Sequence, residues 1–418
     1  MKTIVGGAIE MLCVFMITGY AYAGDAEVLP KGRFALNVDY KHYFPWTKRF
    51  DTNGHEQDAA ADFNTVLNSN VIPGLDAFNG LVPGTPNIGR SVVTFKYSYE
   101  RIEPTLAYGI TDKLSVGLRI PYIWYQNEVT ARLDSSNANI GKNPAFNPQD
   151  PTSPPLIPIA MGGVPLTTQD IQNLLGSGLV INGALAIPGF GYKYFGTWRD
   201  EGFGDLEAGL KYQYYNSENW RLAGLFGALF PTGKVADPDN LAAQPLGGGS
   251  YGLIFRSYND FTGIKNFVIN GSVFYTLTLP QDDERRIVSD PHKPLTAKKE
   301  KVTIDPGDVV ELETSVKYQL NDVPFLRGTS LELLYHYTHY FRDSVTAPDG
   351  QHIPSLETQT EANEHSYIVK LSYSTIPLYL NKKFPIPLDL SLAYRNKFAG
   401  NNDVFETEYL ETSLTVYF

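Results

Sequence analysis

The 418-residue sequence holds seven histidines, one cysteine and 45 carboxylates, and their spacing builds no metal or nucleophile site. His336 and His339 are three apart in a stretch that alternates like a strand, so they leave opposite faces and cannot share a metal. His292 and His352 lie between such stretches. His365 and Ser366 are adjacent, so a base and a hydroxyl there point apart, and no His-x-Ser-Asn-Gly motif is present. Pro231-Thr232-Gly233-Lys234 has the end of a phosphate loop without its glycine spacing, and reads as a turn. No catalytic, cofactor-binding or metal-binding residue is expected, and no enzyme.

The charges that remain recur at every second position. Asp39, Lys41, Lys96, Arg119, Asp205, Glu207, Lys211, Arg221, Arg256, Glu311, Glu313, Lys317, Glu332, His336, Lys370, Asp389, Arg395, Lys397 and Glu411 each alternate with apolar or aromatic neighbours. Both signs are interspersed. They read as a polar wall around a permeation path, as a network that satisfies itself and fills the interior, or as both.

Strands must position them. Leu114, Val116, Leu118, Ile120, Tyr122 and Trp124 share one face, with Ser115, Gly117 and Arg119 on the other; Leu388, Leu390, Leu392 and Tyr394 oppose Asp389, Ser391 and Arg395. Twelve strands are predicted at about 33–44, 92–109, 114–125, 204–215, 220–230, 249–260, 266–279, 308–320, 329–342, 365–378, 386–399 and 404–418. In the second, Tyr97 and Tyr99 are out of phase with Leu106 and Tyr108, which implies a bulge or an extension above the membrane. Connections alternate between short turns and the long segments 45–91, 126–203, 231–248, 280–307 and 343–364; only 400–403 is brief where a long one is due. Periplasmic turns and extracellular loops sort in this way in outer-membrane barrels. Tyr122, Trp124, Trp220, Tyr275, Tyr335, Tyr337, Tyr373 and Tyr394 fall near strand ends, as an interfacial girdle does. The predicted fold is all-β, a transmembrane antiparallel barrel of twelve strands with short periplasmic turns and long extracellular loops.

Residues 1–23 read as a secretory signal: Lys2, an apolar stretch from Ile4 to Ile17, and Ala21-Tyr22-Ala23 before Gly24. Cleavage removes Cys13, leaving no thiol for a disulfide or zinc site. Residues 24–418 are then the barrel, in a bacterial outer membrane. Beyond Ala23 no apolar run nears the ~20 residues of a spanning helix. The net charge of −11 without a basic cluster excludes nucleic acid as a partner. No TonB-box-like segment or sizeable plug domain stands before the first strand, so TonB-driven uptake is not expected. The end Leu414-Thr415-Val416-Tyr417-Phe418 resembles the signal read by the barrel-assembly machinery, a partner in biogenesis beside outer-membrane lipid. Within the second long loop, Leu166 to Leu175 reads as a short amphipathic helix capped by Thr167 or Thr168 and ended by Gly176. With Ile171, Leu174, Leu175, Leu179, Ile187 and Phe190, the segment 166–190 is expected either to enter the barrel mouth as a constriction or to pack against other loops.

Three stretches carry a family likeness: Pro104-Thr105-Leu106-Ala107-Tyr108-Gly109-Ile110-Thr111-Asp112-Lys113-Leu114-Ser115-Val116-Gly117, then Gly202-Phe203-Gly204-Asp205-Leu206-Glu207-Ala208-Gly209-Leu210-Lys211-Tyr212, and Leu229-Phe230-Pro231-Thr232-Gly233-Lys234. They resemble the MetA-like (meta-pathway of phenol degradation) outer-membrane transporters, and Thr167 to Trp198 is similar to longer members. The likeness covers most of 90–418; the first long loop adds nothing. It implies a barrel that passes small hydrophobic or aromatic compounds and supplies no catalytic residues. The expected function is thus passive passage of a small-molecule solute. The alternatives are an occluded structural barrel with partner-binding loops and, behind it, an outer-membrane lipid-modifying enzyme.

Overall fold

A computed structural model describes residues 25–287 and 295–418. The signal segment, Cys13 and His292 lie outside them. Twelve antiparallel strands close on themselves: β1 (Phe34–Tyr43), β2 (Asn87–Thr111), β3 (Leu114–Arg119, resuming at Tyr122–Asp134), β4 (Trp198–Phe203, resuming at Leu206–Asn216), β5 (Trp220–Phe230), β6 (Gly252–Phe261), β7 (Phe267–Thr278), β8 (Val309–Gln319), β9 (Thr329–Tyr340), β10 (Ala362–Ser374), β11 (Leu388–Gly400) and β12 (Glu408–Tyr417). Each pairs with its sequence neighbour, and β1 closes the ring on both sides, Leu36 opposite Val416 of β12 and Leu106 of β2. Closure leaves no free edge, so the ladders satisfy the backbone polar groups without water.

Alternation sorts the two faces. Leu36, Leu106, Leu118, Leu210, Phe226, Leu333, Leu371, Leu392 and Leu414 are exposed around the outer wall, while Asn37, Asp39, Arg119, Glu207 and Lys211 are buried inside. Outward aromatic pairs mark both rims: Phe34–Tyr108 and Phe267–Tyr318 near the turns, Tyr122–Phe203 near the loops. A continuous apolar band of this kind faces lipid.

Three departures from the sequence expectation have physical causes. β3 and β4 both break part-way along their length, at Ile120-Pro121 and Gly204-Asp205. Pro121 has no N–H for the ladder, and its carbonyl instead accepts the Gly204 N–H at 2.9 Å. β10 ends at Ser374, short of the predicted 378, because Pro377 starts a helical turn (Ile376–Leu380) that β structure would forbid. β2 extends beyond the predicted span at both ends, to Asn87 and Thr111, and pairs with β3 from Arg90 to Ile102 without a register shift. The out-of-phase tyrosines therefore belong to an extension, not a bulge.

The long loops form a second layer over the outer mouth. The helix α1 (Thr168–Leu175) carries a reciprocal cap: Thr167 accepts from the Asp170 N–H, and Asp170 accepts from the Thr167 N–H. Leu75, Ile88, Ile140 and Leu179 are fully buried in this layer, each contributing about 1.5–3 kcal/mol of apolar burial.

Candidate functional site

The barrel interior is occupied at three levels. At the periplasmic end the chain ahead of β1 folds back into the lumen. The Ala26 N–H donates to Asp260 at 2.9 Å, Lys211 and Gln213 donate to the carbonyls of Asp25 and Ala26 at 2.7 and 2.8 Å, and the Leu29 N–H donates to Ser115 at 2.9 Å. Glu27 pairs with Arg221. Ala26 and Leu29 are buried against Tyr258 and Phe274 and against Ala35 and Ala107 respectively. The approach is close enough that a Cβ on Gly109 would collide with the Pro30 carbonyl. Wall side chains gripping main-chain atoms leave no periodic trace in the segment they hold, which is why the sequence offered no sign of it.

Above this lies a belt of charge. Glu103, fully buried, receives Lys41 and Arg101 at 2.5 Å each and Arg119 at 3.6 Å. Arg119 and Arg256 converge on Glu207, the latter at 3.3 Å, and Lys41 also reaches Glu411 at 3.7 Å. Across the lumen, Glu364 takes Lys397 at 2.6 Å and Arg395 at 3.9 Å. Asp39 accepts from Asn37, Glu332 from Ser315, and Asp389, near the periplasmic rim, from Tyr417. Lys317, Lys370, Glu332 and Glu411 line a small void with Asp25. Asp205 is spent on structure: it accepts from the Gly233 and Gly248 N–H groups at 2.9 and 2.6 Å, so the Pro231–Lys234 stretch is a turn held to the seam in β4.

His336 sits 2.7 Å from Glu313 and 3.2 Å from Glu311, with Thr338 at 2.9 Å. Glu313–His336–Thr338 has the spacing of a nucleophile relay, yet His336 and Thr338 have no exposed surface among these charges. His339 and His365 point outward to Asn363 and Tyr335.

One expected lumen residue lies elsewhere. Lys96 is on the outer face of the β2 extension, half exposed and 3.5 Å from Glu128. Its neighbours Phe95, Tyr97 and Tyr99 face inward instead. Above the bilayer the outside of the wall is water, so apolar residues turn in and charges turn out, reversing the rule that holds within the membrane. The same phase places Arg101, Glu103 and Thr105 inside; extending the inward phase of Ala107 up the strand would have found them.

Those inward aromatics form the third level. Trp46 stacks on Tyr97 at 5.5 Å, Tyr99 meets Tyr125 edge-on at 5.2 Å, and Phe63 joins Phe95 to Phe195. The candidate constriction residues divide between two clusters. Leu175 packs into the aromatic one, Leu174 and Leu179 into the loop cluster with Ile72, Leu75 and Ile140, and Ile171 and Phe190 touch both, while Ile187 borders the second. α1 thus packs on other loops and borders the lumen collar at once. Beside the collar is a cavity of about 200 Å³ whose lining includes Phe63, Phe95, Tyr97, Ile123 and Leu246 together with Gln244, Ser250, Glu311 and Asp343. A second void of about 110 Å³, almost wholly apolar, shares Phe63 and Leu241 with it and reaches α1. In the loops above, burial pushes the carboxyls of Asp343 and Asp403 up to about 6; for Asp403 this outweighs the Arg49 guanidinium 2.8 Å away, and the nearby charges of Asp62 and Asp51 push the same way.

No protein-family model matches this sequence, and no curated protein matches it. Among solved structures the chain is similar to the COG4313 outer membrane channel from Pseudomonas putida F1, with a TM-score of 0.52 and 12% identity over 95% of this chain and 99% of that one. It also aligns with the Ralstonia pickettii toluene transporter TbuX (TM-score 0.35, 11% identity, 93% and 90% covered) and with a Pseudomonas aeruginosa FadL homologue (0.32, 10%, 93% and 90%). The first establishes a shared fold, that of an outer-membrane β-barrel; the other two align too loosely to add to it.

Proposed function

We propose that this protein is an outer-membrane channel for passive passage of small hydrophobic or aromatic solutes. The observation that carries this reading is the aromatic-walled cavity of about 200 Å³ at the outer end of the lumen, directly above the charged belt. A concave site whose open surface is mainly apolar, although charged side chains take part in its lining, suits a small ligand more than a protein partner. The likeness to MetA-like transporters in residues 104–117 and 202–212 supports the solute class, and the fold shared with a protein described as an outer membrane channel supports the activity. The same reading takes 1–23 as an export signal, the lumen charges as the wall of the path, and Phe418 as an assembly signal.

A second reading, an occluded barrel, draws on the segment Asp25–Pro30 that fills the periplasmic mouth. Proteoliposomes separate the two. Benzyl alcohol efflux from vesicles bearing the mature chain should exceed that from protein-free vesicles, and deletion of 25–30 should raise ion conductance. A barrel that passes neither solute nor ions, with or without residues 25–30, would leave the occluded reading standing alone.

A further inference from the structure

We propose that the outer cavity prefers solutes whose apolar body carries one protonated amine, and that Asp343 receives that amine. The proposal rests on the cavity being a solute site, as above, and names the class of solute it favours.

The cavity lining mixes apolar and charged side chains, and one of its carboxylates has no cation paired with it among the described residues. Its cations are committed: Arg49 to Asp62 and Asp403, Arg101 to Glu103 at 2.5 Å, Arg285 to Asp283 at 3.0 Å. Most of its carboxylates are matched too. Asp205 holds two backbone N–H groups, Asp237 pairs with Lys193, and Glu311 faces His336 at 3.2 Å. Asp343 is the exception. It is 6% exposed, accepts the Gly307 N–H at 2.8 Å, and has no ion-pair partner among the described residues. Burial pushes its carboxyl up to about 6 against the Gly307 N–H and Arg285, and Asp305 and Glu357 push the same way. At neutral pH it is therefore a buried anion held at a cost.

Gln244 and Ser250 also line the cavity, but their oxygens, unpartnered among the described residues, are covered, as are the unpartnered Nε atoms of Arg49 and Arg285, so Asp343 is the group a solute can answer. An ammonium offers three donors and no acceptor, and it neutralises the carboxylate. A hydroxyl would satisfy one acceptor and leave the charge, and a carboxylate would add a second anion. The apolar lining of Phe63, Phe95, Tyr97 and Ile123 sets the other requirement, a flat or compact hydrocarbon body.

The test uses three probes of one shape: 2-phenylethylamine, 2-phenylethanol and 3-phenylpropanoate. Each is titrated calorimetrically at pH 7.5 into the mature protein in phosphatidylcholine nanodiscs, with empty discs as blank. The amine should bind at least tenfold more tightly than the alcohol, and the propanoate more weakly than either. Asp343→Asn keeps an acceptor for Gly307 and should bring the ratio of amine to alcohol affinity down to about one. Equal binding of amine and alcohol by the unaltered protein would overturn the preference while leaving the cavity a solute site, and this comparison needs no variant to fold. Binding of none of the three would remove the solute site itself.

Discussion

Replacing Glu103 by glutamine tests the belt at its centre. Glu103 has no exposed surface and stands within 2.5 Å of both Lys41 and Arg101 and 3.6 Å of Arg119. Three cations around one carboxylate would suggest a loss of three pairs. However, Lys41 retains Glu411 at 3.7 Å and Arg119 retains Glu207. The cost is then nearer that of breaking one buried pair, about 3–5 kcal/mol. Glutamine preserves shape and one acceptor, so the change isolates charge. Urea unfolding of the refolded barrel in lipid vesicles should show the E103Q variant less stable by that amount. Adding Arg101→Met should recover part of the loss, because it removes the cation that stood 2.5 Å from the deleted charge. A single variant within about 1 kcal/mol of the parent would mean that water or ions already screen the belt, and the placing of Glu103 as its buried centre would be wrong.

Arg286 should act as the fastener of the loop layer: it is buried, bonds the carbonyls of Phe190, Gly191, Pro238 and Thr296 and the carboxylate of Asp239, and lies 3.8 Å over the Tyr192 ring. Arg286→Ala should raise proteinase K cleavage in 231–248 at least tenfold, since a factor of ten needs only about 1.4 kcal/mol of local opening energy, and Arg286→Lys should not restore it; cleavage at the parental rate would refute this. The loop layer should also be tighter in acid. Asp343 and Asp403 have carboxyls raised to about 6 from an ordinary 3.8, so their contribution to stability is whole below about 3.8 and is lost as pH rises through about 6. Hydrogen exchange of the loop peptides should be slower at pH 5 than at pH 7.5 after correction for intrinsic rates, and a D343N/D403N pair should flatten the difference. Finally, deleting 166–188 should raise single-channel conductance and solute uptake if α1 constricts the path; unchanged values would assign it to loop packing alone.

Within the bilayer the fold was legible because a single rule held: lipid outside requires apolar side chains at every second position. Asp39 and Lys41 in β1, Glu311 and Glu313 in β8 and Arg395 in β11 could be placed inside on that rule. Lys96 was misplaced because the rule inverts above the membrane, where Tyr97 belongs inside a water-bathed wall. Glu103 and Arg101 went unnoticed for the same reason, since the inward phase of β2 was lost among its tyrosines. The outer cavity was not legible at all. Asp343 follows β9 while Gln244 and Ser250 lie between β5 and β6, and only the packing of the loop layer brings them to one cavity.

The order of the levels also bears on how an apolar solute could pass a belt of ions. Bare charges would repel it, because the solute would strip their hydration and offer nothing in return. Here the cations already lie against rings: Lys211 is 4.4 Å from the centre of Tyr258, Arg256 5.5 Å from Phe274, and Arg395 5.9 Å from Tyr409. Each of these faces is worth roughly 0.5–2 kcal/mol to its cation. An aromatic solute moving past can offer its own face as the side chain swings away, so the exchange is close to neutral, whereas an aliphatic solute of the same size has no face to offer. On the proposed function, the belt with its rings would discriminate by π surface and the cavity above it by head-group charge. Two filters of different chemistry in series would let an interior this crowded still pass a solute.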